Sequence, residues 1–304
     1  MKWSSHSIWA ILLLLIAGCA PIRAAVTGWD IVLQVNVQHP TIAAEFLDEA
    51  FGVIVDDAST LHITTDGGQT WTQVADDVAQ SRAGLDVVNE RVIWLVGAGG
   101  RVWTFTDSGR NWRAVARLPY GGHVEFISFL DEHTGWVASA ESRQLWATGD
   151  GGRTWEEIAL PQPAGGLVAI ALRTANAGYL LDNRGVLFST RDGGQTWSSQ
   201  ALGVDHESLS IPVLTPCAAV RFSDEHCGTV ILGLAGDGKS EVWAMRTTNG
   251  GQSWDQENVP VSIGQFYLTH DGTLLTVADL TDSGKIIVLR TTRAVCAGGS
   301  DSGR

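Results

Sequence analysis

An eight-residue phrase that recurs along the chain is the strongest constraint on its fold. The phrase reads TTDGGQTW at 64–71 and returns with small changes at 105–112, 148–155, 190–197 and 247–254. Its tryptophans are separated by 41, 43, 42 and 57 residues. A period near 42 residues, with several short apolar runs per unit, is typical of β-propellers in which each repeat forms one four-stranded blade. A catalytic site needs one copy of its residues, so the five copies predict a scaffold.

The strand pattern within each repeat predicts an all-β, six-bladed propeller. In the third repeat, the short apolar strands VEFISFLD, WVASAE, QLWATGD and TWEEIAL are separated by turns. The innermost strands are expected near 41–48, 82–89, 124–131, 167–174, 217–224 and 263–270. The sixth repeat has three strands but lacks the phrase, and TGWDIVLQV near the N terminus resembles the missing outer strand. We therefore predict that 28–35 completes the last blade, which removes an exposed sheet edge.

Each repeated phrase is interpreted as a turn that its acidic side chain holds in place. An Asp side chain accepts hydrogen bonds from backbone N–H groups a few residues on, the paired glycines adopt positive φ, and the tryptophan packs between sheets. All five turns join third and fourth strands, so they project at one rim and cannot converge on one substrate. Asn249 keeps this geometry without the charge. The predicted structural residues are Asp66, Trp71, Asp107, Trp112, Asp150, Trp155, Asp192, Trp197, Asn249 and Trp254.

Two acidic triplets resemble metal ligands but recur at a single turn position. Asp131-Glu132-His133 and Asp224-Glu225-His226 align with FLDEAFG at 46–52. We interpret all three as solvated turns between first and second strands, and we predict no metal site. His62 replaces an aromatic residue of other repeats, which favours a half-buried packing role over a ligand role.

The N-terminal segment predicts export and a lipid anchor. Lys2 precedes an apolar run from Ile8 to Ala17 that is too short to span a bilayer and ends in LIAGC. This ending resembles the bacterial lipobox, in which the cysteine, here Cys19, becomes the acylated first residue. The alternative is an ordinary signal peptide cleaved near IRAA. The predicted organisation is a signal peptide over 1–18, a lipidated linker over 19–27, one propeller domain over 28–293 and a tail over 294–304.

Charge and cysteine content narrow the partners and the compartment. The formal net charge of −13 argues against nucleic acid and against direct adhesion to anionic lipid. The predicted location is the periplasmic or cell-surface side of a membrane, and the outer membrane if the cell has two, because no Asp follows Cys19. Strand placement favours a disulfide between Cys227 and Cys296 over pairings with Cys217. No cofactor is predicted, and we expect a monomer.

The phrase T-x-D-G-G-x-T-W resembles the BNR, or Asp-box, repeat. Sialidases share it, but they also carry an Arg-Ile-Pro motif and an arginine triad, and the nearest phrase here is ARLPY at 116–120. The closer resemblance, over about 28–293, is to exported propellers of the photosystem II assembly and stability factor type, through repeats such as FLDEHTGWVASAESRQLWATGDGGRTW. Those propellers have seven blades, whereas six are counted here. The resemblance implies a non-enzymatic protein that holds membrane-protein intermediates during assembly.

One face of the predicted propeller carries a cation in five of its six blades. These cations lie in the turns between second and third strands and are Arg101, Arg143, Arg184, Lys239 and Lys285. This cation ring is a candidate docking surface for an acidic protein partner. The alternative is that neighbouring carboxylates such as Asp182 neutralise it. The insertion over 203–216 is expected on the same face.

Two functions remain open at this point. The favoured hypothesis is a lipid-anchored, exported propeller that acts without catalysis as a protein-binding scaffold or membrane-complex assembly factor. The alternative is a glycan-directed hydrolase or lectin that uses the central face, with Trp94, Trp136 and Tyr179 as sugar platforms. These aromatics lie in second strands, which favours core packing for them instead. Carboxylates that converge within about 5–10 Å at the channel mouth would favour a glycosidase.

Overall fold

The repeats fold into six four-stranded antiparallel sheets arranged as a β-propeller, which confirms the predicted fold class. The coordinates are a computed structural model. The structure describes residues 28–37, 40–78, 83–107, 110–118, 124–141, 143–162, 164–203, 218–236, 239–259, 261, 264–279 and 285–291. Within these residues, no helix is both long enough and apolar enough to cross a membrane.

Each blade runs outward from an innermost strand that lines the central channel. Blade one comprises β2 (Thr41–Phe46), β3 (Gly52–Asp56), β4 (Leu61–Thr64) and β5 (Thr72–Ala75). Blade two comprises β6 (Gly84–Asn89), β7 (Val92–Val96), β8 (Arg101–Thr106) and β9 (Asn111–Arg117), with a 3-10 turn at Ala98–Gly100. Blade three comprises β10 (Phe126–Phe129), β11 (Gly135–Ser139), β12 (Gln144–Thr148) and β13 (Glu156–Ile158).

The remaining blades follow the same order. Blade four comprises β14 (Leu167–Leu172), β15 (Gly178–Asp182), β16 (Val186–Thr190) and β17 (Ser198–Ala201). Blade five comprises β18 (Ala218–Phe222), β19 (Gly228–Gly236), β20 (Lys239–Thr247) and β21 (Asp255–Asn258). Blade six comprises β22 (Gly264–Leu268), β23 (Leu274–Asp279), β24 (Lys285–Thr291) and β1 (Trp29–Asn36). All six innermost strands lie within the ranges that the sequence predicts.

Strand β1 closes the ring, as predicted from its resemblance to an outer strand. It pairs antiparallel with β24, from Trp29 opposite Thr291 to Asn36 opposite Lys285, with an irregularity between Ile31 and Leu33. The first described strand thus becomes the outermost strand of the last blade. Such pairing removes a sheet edge that could otherwise recruit another chain.

Neighbouring blades are held together by large side chains on their third strands. Trp103 packs in one cluster with Ala75 and Val78, which lie on or just after the outer strand of the preceding blade. Trp146 packs likewise with Leu118 of the preceding blade. Phe188 and Met245 occupy the corresponding positions in blades four and five and are also buried. Burial of a side chain of this size contributes about 1.5–3 kcal/mol, so each junction adds to the stability of the ring.

The repeated turns and the turns between first and second strands share one face of the disc. The backbone N–H of Gly67 donates to Ala50 O at 2.9 Å. The equivalent bond runs from the Gly151 N–H to His133 O at 2.9 Å. A third such bond runs from the Gly250 N–H to His226 O at 2.7 Å. We call this side the Asp-box face, and the side that carries the turns between second and third strands the opposite face.

Candidate functional site in the central channel

The central channel is encircled by one position that is equivalent in all six innermost strands. It directly precedes the last residue of five of these strands, and in β6 it precedes Val87. The six residues at this position are Glu45, Asp86, Ser128, Ala171, Arg221 and Tyr267. We call the five polar members, all except Ala171, the channel belt. The belt lies close to the Asp-box face, because each innermost strand ends there.

Three members of the belt bind the backbone of the next blade. The acceptors are Glu45 Oε2, Asp86 Oδ2 and Ser128 Oγ. The donors are the N–H groups of Val87, Phe129 and Leu172, at 2.9, 2.5 and 2.9 Å respectively. These bonds satisfy backbone groups that face the channel and cannot pair within their own sheets. The belt therefore connects adjacent blades at their inner edges.

Arg221 crosses the channel and connects three other blades. Its guanidinium donates to Asp86 Oδ1 at 3.0 Å, to Ser128 Oγ at 3.1 Å and to Leu268 O at 3.2 Å. The Arg221 side chain is 12% exposed and that of Asp86 is 0% exposed. A buried ion pair of this kind is stable only when hydrogen bonds satisfy both groups, and here they do.

His270 reaches the belt from the Asp-box face. It follows β22, and its Nε2 lies 3.1 Å from Asp86 Oδ1. Its side chain is 30% exposed, so it connects the buried carboxylate of Asp86 with solvent. Asp86 thus has a partner in blades three, five and six.

The belt shifts the pKa values of its two carboxyl groups in opposite directions. Burial, together with the nearby charge of Asp86, raises the pKa of Glu45 to about 8. Burial alone would raise the pKa of Asp86 as well, but the charges of His270 and Arg221 outweigh it and lower that pKa. Burial and the charge of Glu45 raise the pKa of the Tyr267 hydroxyl. That hydroxyl has no hydrogen-bond partner among the described residues.

The space left in the channel is small. Glu45, Arg221 and Tyr267 line a cavity of about 60 Å³. A cavity of that size can hold ordered water, whereas small-molecule sites in proteins usually measure about 300–1,000 Å³. The carboxylates of Glu45 and Asp86 do converge in the channel. They are nevertheless engaged with backbone and with Arg221, and they do not face an open cleft.

Sequence reasoning missed the channel belt, because it placed the acidic residues only in surface turns. The available signal was a single ionisable residue inside an otherwise apolar innermost strand. It is visible in IAAEF for Glu45, GLDVV for Asp86 and AAVRF for Arg221. Three such interruptions at one repeat position indicate a common location.

The repeated turns bind their own acidic side chains. In the first turn, Thr64 Oγ1 donates to Asp66 Oδ1 at 2.8 Å and accepts from the Gly68 N–H at 2.8 Å. Asp66 then accepts from the Thr70 N–H at 2.9 Å and from its hydroxyl at 2.5 Å. Gly67 and Gly68 have φ values of +70° and +81°, which glycine adopts without strain. The aspartate therefore closes a turn of its own strand connection.

The same bonds recur at Asp150 and Asp192. Asn249 also accepts from the Ser253 N–H, but its Nδ2 donates to the Ser253 hydroxyl. Hydrogen bonds from the following threonine lower the pKa of Asp66, Asp150 and Asp192 to about 2. The tryptophans of these turns, Trp71, Trp155, Trp197 and Trp254, are partly buried.

The second repeated turn departs from the others. Phe105 stands where the other turns have threonine, and Asp107 has a φ of +57°. Trp112 is 46% exposed and stacks on Phe105 with ring centroids 6.1 Å apart. This turn lacks the threonine that orders the others, so its tryptophan lies at the surface.

The proposed sugar platforms are not available to a ligand. Trp94 and Trp136 are 0% and 2% exposed. Trp94 stacks on Phe129 of the next blade at 3.8 Å, and its Nε1 donates to Asp131 O at 3.1 Å. Tyr179 stacks on Phe222 in the same way, also at 3.8 Å. Core packing, which the sequence favours for these rings, is what the structure shows, because second-strand aromatics fill the space between blades.

The acidic triplets and His62 have local partners. Asp131 Oδ1 accepts from the His133 and Thr134 N–H groups, both at 2.7 Å. Asp48 and Asp224 make the same bonds in their turns. His62 is half-buried, with its Nε2 2.9 Å from Asp56 Oδ2.

The members of the cation ring differ in exposure and in their partners. Arg184 forms an ion pair with the buried Asp182 at 2.9 Å. Arg143 donates to Ala164 O at 2.6 Å, and Arg101 is exposed at the start of β8. Lys285 is partly exposed, and only the backbone of Lys239 is described, in β20.

The predicted anchor and disulfide fall largely outside the described residues. Cys227 is disulfide-bonded. Cys217 and Cys296, the partners considered for it, are not among the described residues, and neither is the anchor residue Cys19. Of the insertion over 203–216, only Gly203 is described. The pairing of Cys227 with Cys296 stays a prediction.

Comparison with known proteins gives the fold and its neighbours. No protein-family model matches the chain, and no curated protein matches it. YCF48 from Cyanidioschyzon merolae is similar in structure, with 12% identity, a TM-score of 0.54 and coverage of 87% of this chain and 98% of that chain. Virginiamycin B lyase from Staphylococcus aureus has 14% identity, a TM-score of 0.54 and coverage of 81% and 79%.

The WD40 repeats of RRP9 are also similar, with 8% identity, a TM-score of 0.57 and coverage of 87% and 97%. The neighbours thus include a photosystem II assembly factor and a lyase. At such low identities the likeness shows a shared propeller fold alone. The distinction between binding and catalysis depends on the residues of this chain.

Proposed function

We propose that this chain is a non-catalytic propeller that binds a protein partner, exported and held at a membrane by lipid on Cys19. Its role would be that of a scaffold or of an assembly and stability factor for a membrane complex. The resemblance of its repeats to photosystem II assembly factors supports this proposal, as does the fold that it shares with YCF48.

The observation that carries the proposal is the state of the channel belt. Glu45, Asp86 and Arg221 are ionisable members of the belt, and their polar atoms bind other blades. The cavity that Glu45 and Arg221 line measures about 60 Å³, whereas small-molecule sites usually measure about 300–1,000 Å³. These groups therefore serve to hold the ring rigid, and a rigid disc presents its surface turns in fixed positions for a partner.

The opposite face is the proposed docking surface. Arg101 is exposed there and Lys285 is partly exposed, whereas the charge of Arg184 is already paired with Asp182. An acidic partner would thus interact most strongly with Arg101 and Lys285, which lie in blades two and six. Charge complementarity of this kind mainly sets specificity and association rate.

The test is affinity capture from detergent-solubilised native membranes with the tagged, full-length lipoprotein. An Arg101→Glu/Lys285→Glu variant should recover the partner at least about tenfold less well than the wild type. The matched control, Arg153→Glu/Arg191→Glu, reverses two exposed charges on the Asp-box face and should recover the partner normally. Equal recovery by both variants would move the docking surface elsewhere, and a wild-type bait that returns alone would contradict the proposal.

The lipid anchor has its own test. Cells grown with an alkyne-labelled fatty acid should incorporate the label into the wild type and not into a Cys19→Ser variant. The variant should also leave the membrane fraction. Label on the Cys19→Ser protein, or none on the wild type, would favour the ordinary signal peptide instead.

A glycan-directed hydrolase remains the second candidate, because Glu45 and Asp86 do converge. Release of a fluorogenic aglycone from sialosides or common hexosides by the purified wild type would support it. The activity should then disappear in Asp86→Asn. Under our proposal no substrate of this kind is turned over.

A further inference from the structure

The junction between blade six and blade one contains a cavity that the belt does not explain. Its volume is about 390 Å³. It lies between β1 on one side and β3 and β4 on the other, and Val37, Ile54, Asp56, His62 and Trp71 contribute to its lining. We call it the seam pocket. Its volume falls in the range of small-ligand sites, which is about 300–1,000 Å³.

The seam pocket exists because one packing residue is small and polar. His62 occupies the third-strand position that Trp103, Trp146 and Phe188 occupy in the next three blades. Those rings are 4%, 3% and 3% exposed and fill the space against the preceding blade. His62 turns instead to Asp56, so the corresponding space beside β1 is left open. The fold thus has an aromatic-sized position without an aromatic residue of its own.

The pocket offers polar groups of fixed orientation. Asp56 is held by the Thr60 N–H at 2.9 Å, and its second oxygen lies 2.9 Å from His62 Nε2, which leaves His62 Nδ1 for another partner. The indole N–H of Trp71 is buried and has no partner among the described residues. At the equivalent positions, the indole N–H groups of Trp155 and Trp197 donate to carbonyl groups at 3.1 Å, whereas that of Trp254 also has no partner among the described residues. The pocket therefore combines the apolar side chains of Val37 and Ile54 with polar groups, among them the ring of His62.

We propose that the seam pocket binds an aromatic side chain with a polar edge, the tyrosine or tryptophan of the partner polypeptide. The ring would occupy the space that Trp103 and Trp146 fill at other junctions, between Val37 and Ile54. Its hydroxyl or N–H would donate to His62 Nδ1. This inference rests on the proposed protein-binding function and gives it a second contact, away from the cation ring.

The test uses p-cresol and 3-methylindole, the side-chain analogues of tyrosine and tryptophan, with the full chain in saturation-transfer NMR. Both probes should bind the wild type. His62→Trp supplies the missing ring and should reduce binding at least about tenfold while raising Tm, because a filled cavity stabilises the fold. His133→Trp makes the same substitution on an exposed turn and should bind like the wild type.

Several results would overturn the inference. The probes could bind His62→Trp as well as the wild type, or methyl α-glucoside at equal concentration could displace them, which would indicate a site for sugars. If His62→Trp does not fold, His62→Phe gives the same readout, because it introduces the ring that Phe188 supplies at the equivalent position of blade four.

Partner capture separates this inference from the proposed function. A partner that the wild type recovers should be recovered poorly by His62→Trp and normally by His133→Trp. Equal recovery by both variants would refute the seam contact and leave the proposed function standing. If the wild type recovers no partner, the proposed function fails, and the affinity of the pocket for aromatic groups is decided by the probes alone.

Discussion

The rim and the channel of this propeller both carry polar residues at a recurring position of the blades, but they use that position in opposite ways. At the rim, Asp66, Asp150 and Asp192 are bound by residues within four positions of themselves. In the channel, Asp86 is bound by residues 43, 135 and 184 positions away. Threonine hydrogen bonds lower the pKa of the rim aspartates to about 2, whereas burial raises that of Glu45 to about 8.

This difference teaches that repetition alone does not mark a functional residue. The rim aspartates recur because each blade needs the same turn, and each turn is independent of the others. The channel belt has a different residue in each blade, because its members must complement one another across one ring. A change at the rim should therefore have a local effect, and a change in the belt should affect the whole ring.

The largest effect is expected from Arg221→Met, which leaves the fully buried Asp86 without its guanidinium. Loss of one partner from a buried ion pair typically costs about 3–5 kcal/mol. The free energy of unfolding, measured with denaturant, should fall by that amount. Asp86→Asn/Arg221→Met removes both charges of the pair, so this variant should recover part of the loss. The single variant Asp86→Asn completes the comparison. If the double variant loses as much unfolding free energy as the two single variants lose together, the two side chains do not interact.

Next in size is the pH dependence that Glu45 imposes. The pKa of Glu45 is raised from 4.5 to about 8 in the folded state, so between these values the folded protein keeps a proton that the unfolded chain has released. The free energy of unfolding therefore decreases as pH rises through this window, by about 1–4 kcal/mol, and levels off above it. Glu45→Gln should flatten this slope between pH 5 and pH 8. An unchanged slope would mean that another group is responsible.

A smaller and local effect is expected from Thr148→Val at the third repeated turn. The hydroxyl of Thr148 accepts from the buried Gly152 N–H at 2.9 Å and donates to Asp150 at 3.0 Å. Its loss should cost about 1–2 kcal/mol in the free energy of unfolding. Hydrogen exchange should increase in blade three and stay unchanged in blade six. An increase throughout the ring would contradict the independence of the rim turns.

The smallest effect is expected from Asp192→Asn. Asn249 already makes the corresponding bonds in blade five, to the Ser253 N–H at 3.0 Å and the Ser253 hydroxyl at 2.9 Å. The change in Tm should therefore stay below about 2 °C in a scanning calorimeter. A larger decrease would show that the charge itself, and not the turn geometry, is needed at the rim.

The sequence predicts the parts of this molecule that local rules determine. The period of the repeated turn indicates the number and bounds of the blades. TGWDIVLQV has the pattern of an outer strand, and the sixth repeat lacks one, so the sequence also indicates closure by β1. The channel belt does not follow from such rules. Its residues share a position but no residue type, and their bonds join blades that are far apart in sequence.

The aromatic residues of the second strands show what the strand pattern leaves undetermined. Trp94 and Trp136 lie in alternating strands, and alternation does not say which side of a blade faces its neighbour. In a propeller both sides of each blade are covered, so these rings are buried. The seam pocket has a signal in the sequence, the replacement of an aromatic residue by His62. Its size becomes apparent only when β1 is placed beside that position.

The most direct test of a channel that is closed to water and bonded between blades is an NMR titration of side-chain carboxyl groups. The protein would be labelled at Asp and Glu. The account predicts that Glu45 titrates near pH 8 while Asp192, with a pKa of about 2, is still ionised at pH 3. Both groups titrating near their ordinary values would contradict it. Water would then reach the belt, and Glu45 and Asp86 would have to be reconsidered as an accessible pair of carboxylates.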